Sequence, residues 1–261
     1  MTPEEFERTT LGRTGLRVGR LGVSASYGVP GSAVERAFER GVNYLYWGSR
    51  RTGTFADAVR HLAPQRDRFV LVVQSYTRMA SLLGWSLERA LRAVRLDHAD
   101  VLLLGMWNKT VPPRILDAAR RVRERGLVRF LAVSTHQRMQ VPKIAAESDF
   151  DVVHFRYNAA HPGAEKDIFP RLPASNLPGL TAFTATSWGQ LLKPRKSRGE
   201  RTPTATDCYR FVLTRPEVNV CMTGPASAAH LDQALEALRL GPMSEEELAW
   251  MHRVGKAVSG K

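Results

Sequence analysis

Short runs rich in β-branched residues and leucine alternate along this chain with longer stretches whose apolar positions recur every three to four residues. That rhythm predicts βα units around a parallel sheet, because buried parallel strands are apolar on both faces while covering helices bury only one stripe. The runs place strands over 20–24, 43–46, 69–74, 100–104, 129–134, 151–156, 180–184 and 219–222. Between them, Leu87, Ala90, Leu91 and Val94 repeat at helical spacing, as do Leu231, Ala234, Leu235 and Leu238. Ser32 followed by Glu35 predicts a capping box for the helix carrying Val34, Ala37 and Phe38, with Gly41 as its left-handed stop. Gly126 ends the helix of Ile115, Ala119 and Val122. Ser244 and Glu247 open a last helix beyond the eighth unit, and TLGRTGLRV (10–18) reads as a hairpin able to plug one barrel end. The predicted fold class is α/β: a single (β/α)₈ TIM barrel spanning 1–261 as one domain, with an N-terminal β-hairpin and an extra C-terminal helix.

Composition narrows the function classes. The 261 residues match the roughly 250 typical of such barrels. Cys208 and Cys221 form no disulfide framework, and no CxxC occurs. The N-terminus is polar, and no stretch reaches the ~18–20 apolar residues of a membrane span, so a cytoplasmic protein without membrane partners is expected. Lys plus Arg number 38 against 25 Asp plus Glu, a net charge of +13. An excess of that size attracts anions. Much of it lies in arginine-rich helical stretches such as 118–126, and no RNP, zinc-finger or helix-turn-helix pattern focuses it, so no specific nucleic-acid partner is expected. No HxH or HExxH spacing and no paired carboxylate at a strand end occur, which argues against metal or glycosidase chemistry.

Several strings in order resemble the aldo-keto reductase family over nearly the whole chain. TLGRTGLRVGRLG (10–22) looks like its entry hairpin and first strand, and GLVRFLAVSTH (126–136) like its fifth strand. VVHFRYNAAHPGAEKDIFP (152–170) resembles the sixth strand and following helix; GPASAAHLDQALEAL (224–238) and LGPMSEEELAWM (240–251) resemble the closing segment. The resemblance implies an NAD(P)(H)-linked oxidoreductase acting on a small molecule through an Asp, a Tyr, a Lys and a His. In the matching segments Tyr46 stands at the Asp position, Arg51 at the Tyr, Gln74 at the Lys and Gly105 at the His. An always-charged guanidinium cannot act as the general acid at neutral pH, so the usual carbonyl reduction lacks its proton donor at these positions.

For the coenzyme, the resemblance assigns Ser134, Thr135 and His154 to the carboxamide, Phe183 to stacking on the nicotinamide and Thr184 to the pyrophosphate. Gly224, His230 and Ala234 take positions that in the family grip the 2′-phosphate and adenine, which implies a weakened NADP site or none. Lys193, Arg195, Lys196, Arg198 and Arg201 lie in the basic segment 191–204 after the seventh strand, where they form a cationic strap or a solvated loop.

Barrel enzymes gather functional residues at the C-terminal ends of their strands. Here those ends carry Trp47, Gln74, Tyr76, Trp107, Asn108, Arg156 and Trp188, a set suited to the wall of a small-molecule pocket. His136, with Tyr46 and Tyr157, is the candidate acid–base group. Two alternatives remain open: a lyase, isomerase or cyclase using this pocket without nicotinamide, and an inactive homologue that binds a nucleotide or a partner.

Overall fold

The structure, a computed structural model, describes residues 6–48, 50–146, 149–197 and 199–260. β1 (Thr9–Thr10) and β2 (Arg17–Val18) pair antiparallel as the expected hairpin. Eight parallel strands follow: β3 (Leu21–Ser24), β4 (Tyr44–Trp47), β5 (Val70–Ser75), β6 (Ala99–Leu104), β7 (Val128–Thr135), β8 (Val152–Arg156), β9 (Gly179–Phe183) and β10 (Val220–Thr223). They pair in sequence order, and β10 bonds back to β3, closing the barrel. Around it run α1 (Gly31–Glu39), α2 (Gly53–Leu62), α3 (Ala80–Val94), α4 (Pro113–Glu124), α5 (Gln140–Ala146), α6 (Ala164–Asp167), α7 (Ala205–Leu213) and α8 (Ala228–Leu240), with α9 (Glu245–Ser259) last.

Alternation along each strand divides the apolar residues into two cores. Tyr44, Val70, Val72, Val101, Leu103, Ala132, Val152 and Val220 fill the barrel interior, where Leu11 and Val18 of the hairpin join them. The hairpin therefore does plug one end. Its Arg13 N–H donates to the Leu177 carbonyl just ahead of β9, which identifies that end as the N-terminal face. The second core, between barrel and helices, holds the opposite set, among them Leu45, Trp47, Leu71, Val73 and Phe155.

The N-terminal face is closed by a repeated device. Asn43, Asp100, Asp151 and Asn219 stand at the starts of every second strand. Each accepts, through its side chain, a backbone N–H from the first half of the preceding strand or just ahead of it: Gly19 (2.9 Å), Leu71 (2.8 Å), Leu131 (3.0 Å) and Leu180 (2.8 Å). These contacts pair N–H groups that would otherwise lie buried without an acceptor.

One helix start differs from expectation. α1 begins at Gly31 behind Pro30, and no side chain caps it, so the Ser32 box does not form. Proline presets the required φ just outside the first turn, and the helix starts two residues earlier than a Ser32 cap implies. The last helix does carry its capping box between Ser244 and Glu247. Gly41 and Gly126 take the left-handed φ their stops require. Both cysteines are buried and unpaired, and no described helix is long and apolar enough to cross a membrane.

Candidate active site at the barrel mouth

Strand parity decides which side chains reach the C-terminal mouth. Ser24, Tyr46, Gln74, Leu103, Ser134, His154 and Met222 point inward at the strand ends and floor a cleft of about 460 Å³. Tyr27, Tyr76, Phe183, Thr184, Trp188, Tyr209 and Gly224 are among its walls. The volume falls in the ~300–1,000 Å³ range of small-molecule sites. In a chain of net charge +13, not one Asp, Glu, Lys or Arg is among the described residues lining this cleft.

Its polar groups are engaged in specific ways. The Tyr46 hydroxyl donates to Gln74 Oε1. Arg51 donates through Nη2 to the Gln74 carbonyl at 2.9 Å and interacts electrostatically with the Tyr46 phenol. A Cβ on Gly105 would come within 2.5 Å of Gln74 Nε2 and 2.6 Å of the Tyr76 ring, so those two side chains fill the space a histidine would need there. Below them, His154 Nε2 and the Tyr44 hydroxyl share a 2.9 Å hydrogen bond. Complete burial lowers the His154 pKa from 6.5 to about 3, so its ring is neutral at physiological pH. Burial likewise raises the Tyr44 phenol above its ordinary value. Ser134 Oγ accepts from Met106 N–H at 2.8 Å, which leaves its own proton available to a ligand.

The wall after β9 is conformationally unusual. Thr184, Ser187 and Trp188 all have φ between 51° and 63°. For a β-branched threonine that is a costly backbone, and such strain concentrates at binding sites. Asn158 Nδ2 donates to the Thr184 carbonyl at 2.8 Å, and Ser187 N–H returns to the same oxygen, which holds the turn.

Of the three candidate acid–base groups, only Tyr46 lies in the cleft. Tyr157 points the other way. It is 1% exposed, packs against Phe169 and Phe211, and donates to Glu165 Oε1 at 2.7 Å in the helical layer. Burial, then the Glu165 carboxylate, pushes its phenol up, away from acid chemistry near neutrality. His136 stands on the rim against the Phe183 ring, 5.3 Å between centroids, outside the lining. Burial, then the Arg156 guanidinium, holds its imidazole below the ordinary value.

Among the remaining expected positions, Gln74, Tyr76 and Trp188 line the cleft, as do Ser134, His154, Phe183, Thr184 and Gly224. Trp47 does not: it is buried, stacks on Phe55 and donates to the Ala90 carbonyl. Thr135 is buried and bonds Asn108 Oδ1, which also accepts the His136 N–H. Trp107 lies under the Arg78 guanidinium, 3.9 Å from its centroid, and Arg156 likewise stays outside the lining. In the basic segment, Arg201 stacks on Trp250 and pairs with Asp207, while Arg198 lies outside the described residues. Ala234 is fully buried and His230 exposed on α8.

Tyr157 and Trp47 follow from parity. Tyr44, Tyr46 and His154 face inward, so their odd neighbours Leu45, Trp47, Phe155 and Tyr157 face the helices. The same count would have found Ser24 and Met222. Tyr27 and Tyr209 come from a turn and from α7, and no local signal marks them.

No family model matches this chain, and no curated protein matches it in sequence. Its fold is similar to that of the aldo-keto reductase AKR11C1 from Bacillus halodurans. The holo form superposes with a TM-score of 0.78 and the apo form with 0.76, each at 17% identity and covering 97% of both chains. At that identity the likeness is one of fold.

Proposed function

We propose that this chain is an aldo-keto-reductase-like enzyme that binds a nicotinamide coenzyme in the barrel-mouth cleft and acts on a small uncharged substrate, with Tyr46 as proton donor. The observation that carries this reading is the meeting, in one uncharged cleft, of a phenol hydrogen-bonded to an amide with Phe183, Ser134 and His154. The nicotinamide end fits these residues: an aromatic face, a hydroxyl with a free proton and a neutral imidazole. Reduced nicotinamide would supply hydride there.

The proton is this chain's own task. Gln74 Oε1 holds the Tyr46 hydroxyl toward the cleft, and a substrate oxygen that outcompetes the amide receives the proton. Arg51, at the position where the family resemblance expects the tyrosine, stands beside this phenol. Relative to the expected pattern, the phenol thus stands at the Asp position and a cation at the Tyr position. A neutral lining favours uncharged substrates, since a bare carboxylate or ammonium would meet no countercharge.

The far end of a dinucleotide fits less well. A Cβ on Gly224 would come within 2.6 Å of the Tyr27 ring, and no Lys or Arg is among the described residues lining the cleft to replace the groups expected at Gly224, His230 and Ala234. NADP affinity is therefore expected to be weak. Titration of the chain with NADPH, followed by coenzyme fluorescence, should show saturable binding that Phe183→Ala weakens; no binding at millimolar coenzyme rejects the reading. The uncharged lining also suits a second reading, a nicotinamide-independent enzyme or binding protein for neutral ligands. Turnover without coenzyme, lost in Tyr46→Phe, would decide for the enzyme.

A further inference from the structure

Outside the barrel mouth, a second cavity of about 440 Å³ opens between α2 and α3, and it shares no lining residue with the first. Parity creates it: Tyr46 turns into the barrel, and its neighbour Trp47 turns outward to form part of the groove wall. Ala56 on α2 and Ala90 on α3 are small and buried, which keeps the helices close and leaves room above them. Three arginines converge on this space: Arg51 from the loop before α2, Arg60 from α2 and Arg89 from α3.

Arg60 is already committed. It pairs with Asp57 and donates to the Ala93 carbonyl at 2.6 Å. Arg51 and Arg89 have no carboxylate partner among the described residues. Arg89 lies over the Trp85 ring at 5.5 Å and Arg51 over Trp47 at 5.8 Å. Burial, with the neighbouring Arg89 guanidinium adding to it, holds the Arg51 pKa below its ordinary value.

The groove also meets the N-terminus of α2. Thr52 is its N-cap, yet its hydroxyl makes no capping bond, and the first turn holds no acidic residue. Thr52 Oγ1 is buried and has no hydrogen-bond partner among the described residues. Two unneutralised guanidiniums, an uncapped helix start and an orphaned hydroxyl all lack the same thing, a multivalent acceptor. Trp85, 53% exposed, offers an aromatic wall beside them.

We propose that the α2–α3 groove, lined by Arg51, Arg89, Thr52 and Trp85, is a binding site for a small phosphate monoester carrying a flat apolar group. The guanidiniums and the helix terminus take the phosphate, and Trp85 takes the flat group. A tetrahedral dianion accepts from several directions at once, which suits donors arriving from two helices and a loop better than a planar carboxylate does.

Phenyl phosphate titrated into the full chain tests this, with tryptophan emission as the readout. Saturable quenching is expected, retained in Trp188→Phe of the barrel-mouth cleft and lost in Trp85→Phe. Arg89→Gln should weaken binding roughly tenfold or more, as loss of one charge-assisted contact implies. Arg171→Gln, at an exposed residue between β8 and β9 that does not line the groove, should leave it unchanged. Arg51 also holds the Gln74 carbonyl, so Arg89→Gln is the deciding variant should Arg51→Gln fold poorly. Absence of saturation, an unchanged affinity in Arg89→Gln, or benzoate binding as tightly as phenyl phosphate would each overturn the proposal.

Discussion

Tyr46 and His154 show how one residue's surroundings set its chemistry. Tyr46→Phe removes the proton that Gln74 now accepts while leaving the ring in place. Under the proposed function it should lower turnover by roughly 10²–10⁴-fold with coenzyme binding retained, measured by steady-state kinetics beside NADPH titration. His154 gives a pH prediction independent of activity. Its folded pKa of about 3 lies below the ordinary 6.5, so the unfolded chain binds this proton more readily. Its contribution to stability is complete above pH 6.5 and is lost as pH falls from there towards 3. The slope from this one group approaches ~1.4 kcal/mol per pH unit. Urea unfolding of the wild type and His154→Gln across that window should show a flatter pH dependence in the variant; equal slopes would place the imidazole in contact with water.

At the scale of elements, the four Asx clamps on the N-terminal face tie alternate strands to their predecessors. Asp100 is the most heavily used: it is 1% exposed, bonds Leu71 N–H, and pairs with Arg66 at 2.7 Å and Arg129 at 3.1 Å. Asp100→Ala leaves a buried N–H and a largely buried guanidinium without their acceptor, and should cost about 3 kcal/mol, read as a lowered denaturation midpoint. Asn219→Ala, which removes a neutral acceptor, should cost about 1–2 kcal/mol. Neither lies at the mouth, so ligand binding there should persist in both. These four residues begin the runs at 43, 100, 151 and 219 that mark strands in the sequence, and each strand was placed to within a residue or two because its apolar run is buried on both faces. The start of α1 differs from the sequence expectation because a Ser-x-x-Glu string competes there with a proline two residues earlier.

Across the whole molecule, the hairpin and the barrel interior form one packed unit. Leu11 is fully buried among Tyr44, Val70 and Val220, so Leu11→Ala opens a cavity in the plugged end. A loss of about 2–5 kcal/mol is expected, with a single cooperative transition by circular dichroism. An early separate transition would instead mean that the hairpin folds apart from the barrel. The net charge of +13 belongs to this scale as well. No charged residue is among the described residues lining the barrel mouth, whereas three arginines line the α2–α3 groove, although the two cavities are built on adjacent residues of one strand.

The alternation of apolar runs determined the barrel, because each strand and helix must bury its own stripe wherever it lies in the chain. The plug and the last helix were legible for the same reason, and Gln74 and Gly105 could be placed at strand ends by counting. What the chain could not declare locally is which side of a strand end meets a cavity. That depends on a two-residue parity, and a single step carries Tyr46 into the mouth and Trp47 into the helical layer. Tyr27, Tyr209 and the convergence of Arg51 with Arg89 depend on loops and helices brought together only by closure of the barrel, and so only the tertiary structure decided them.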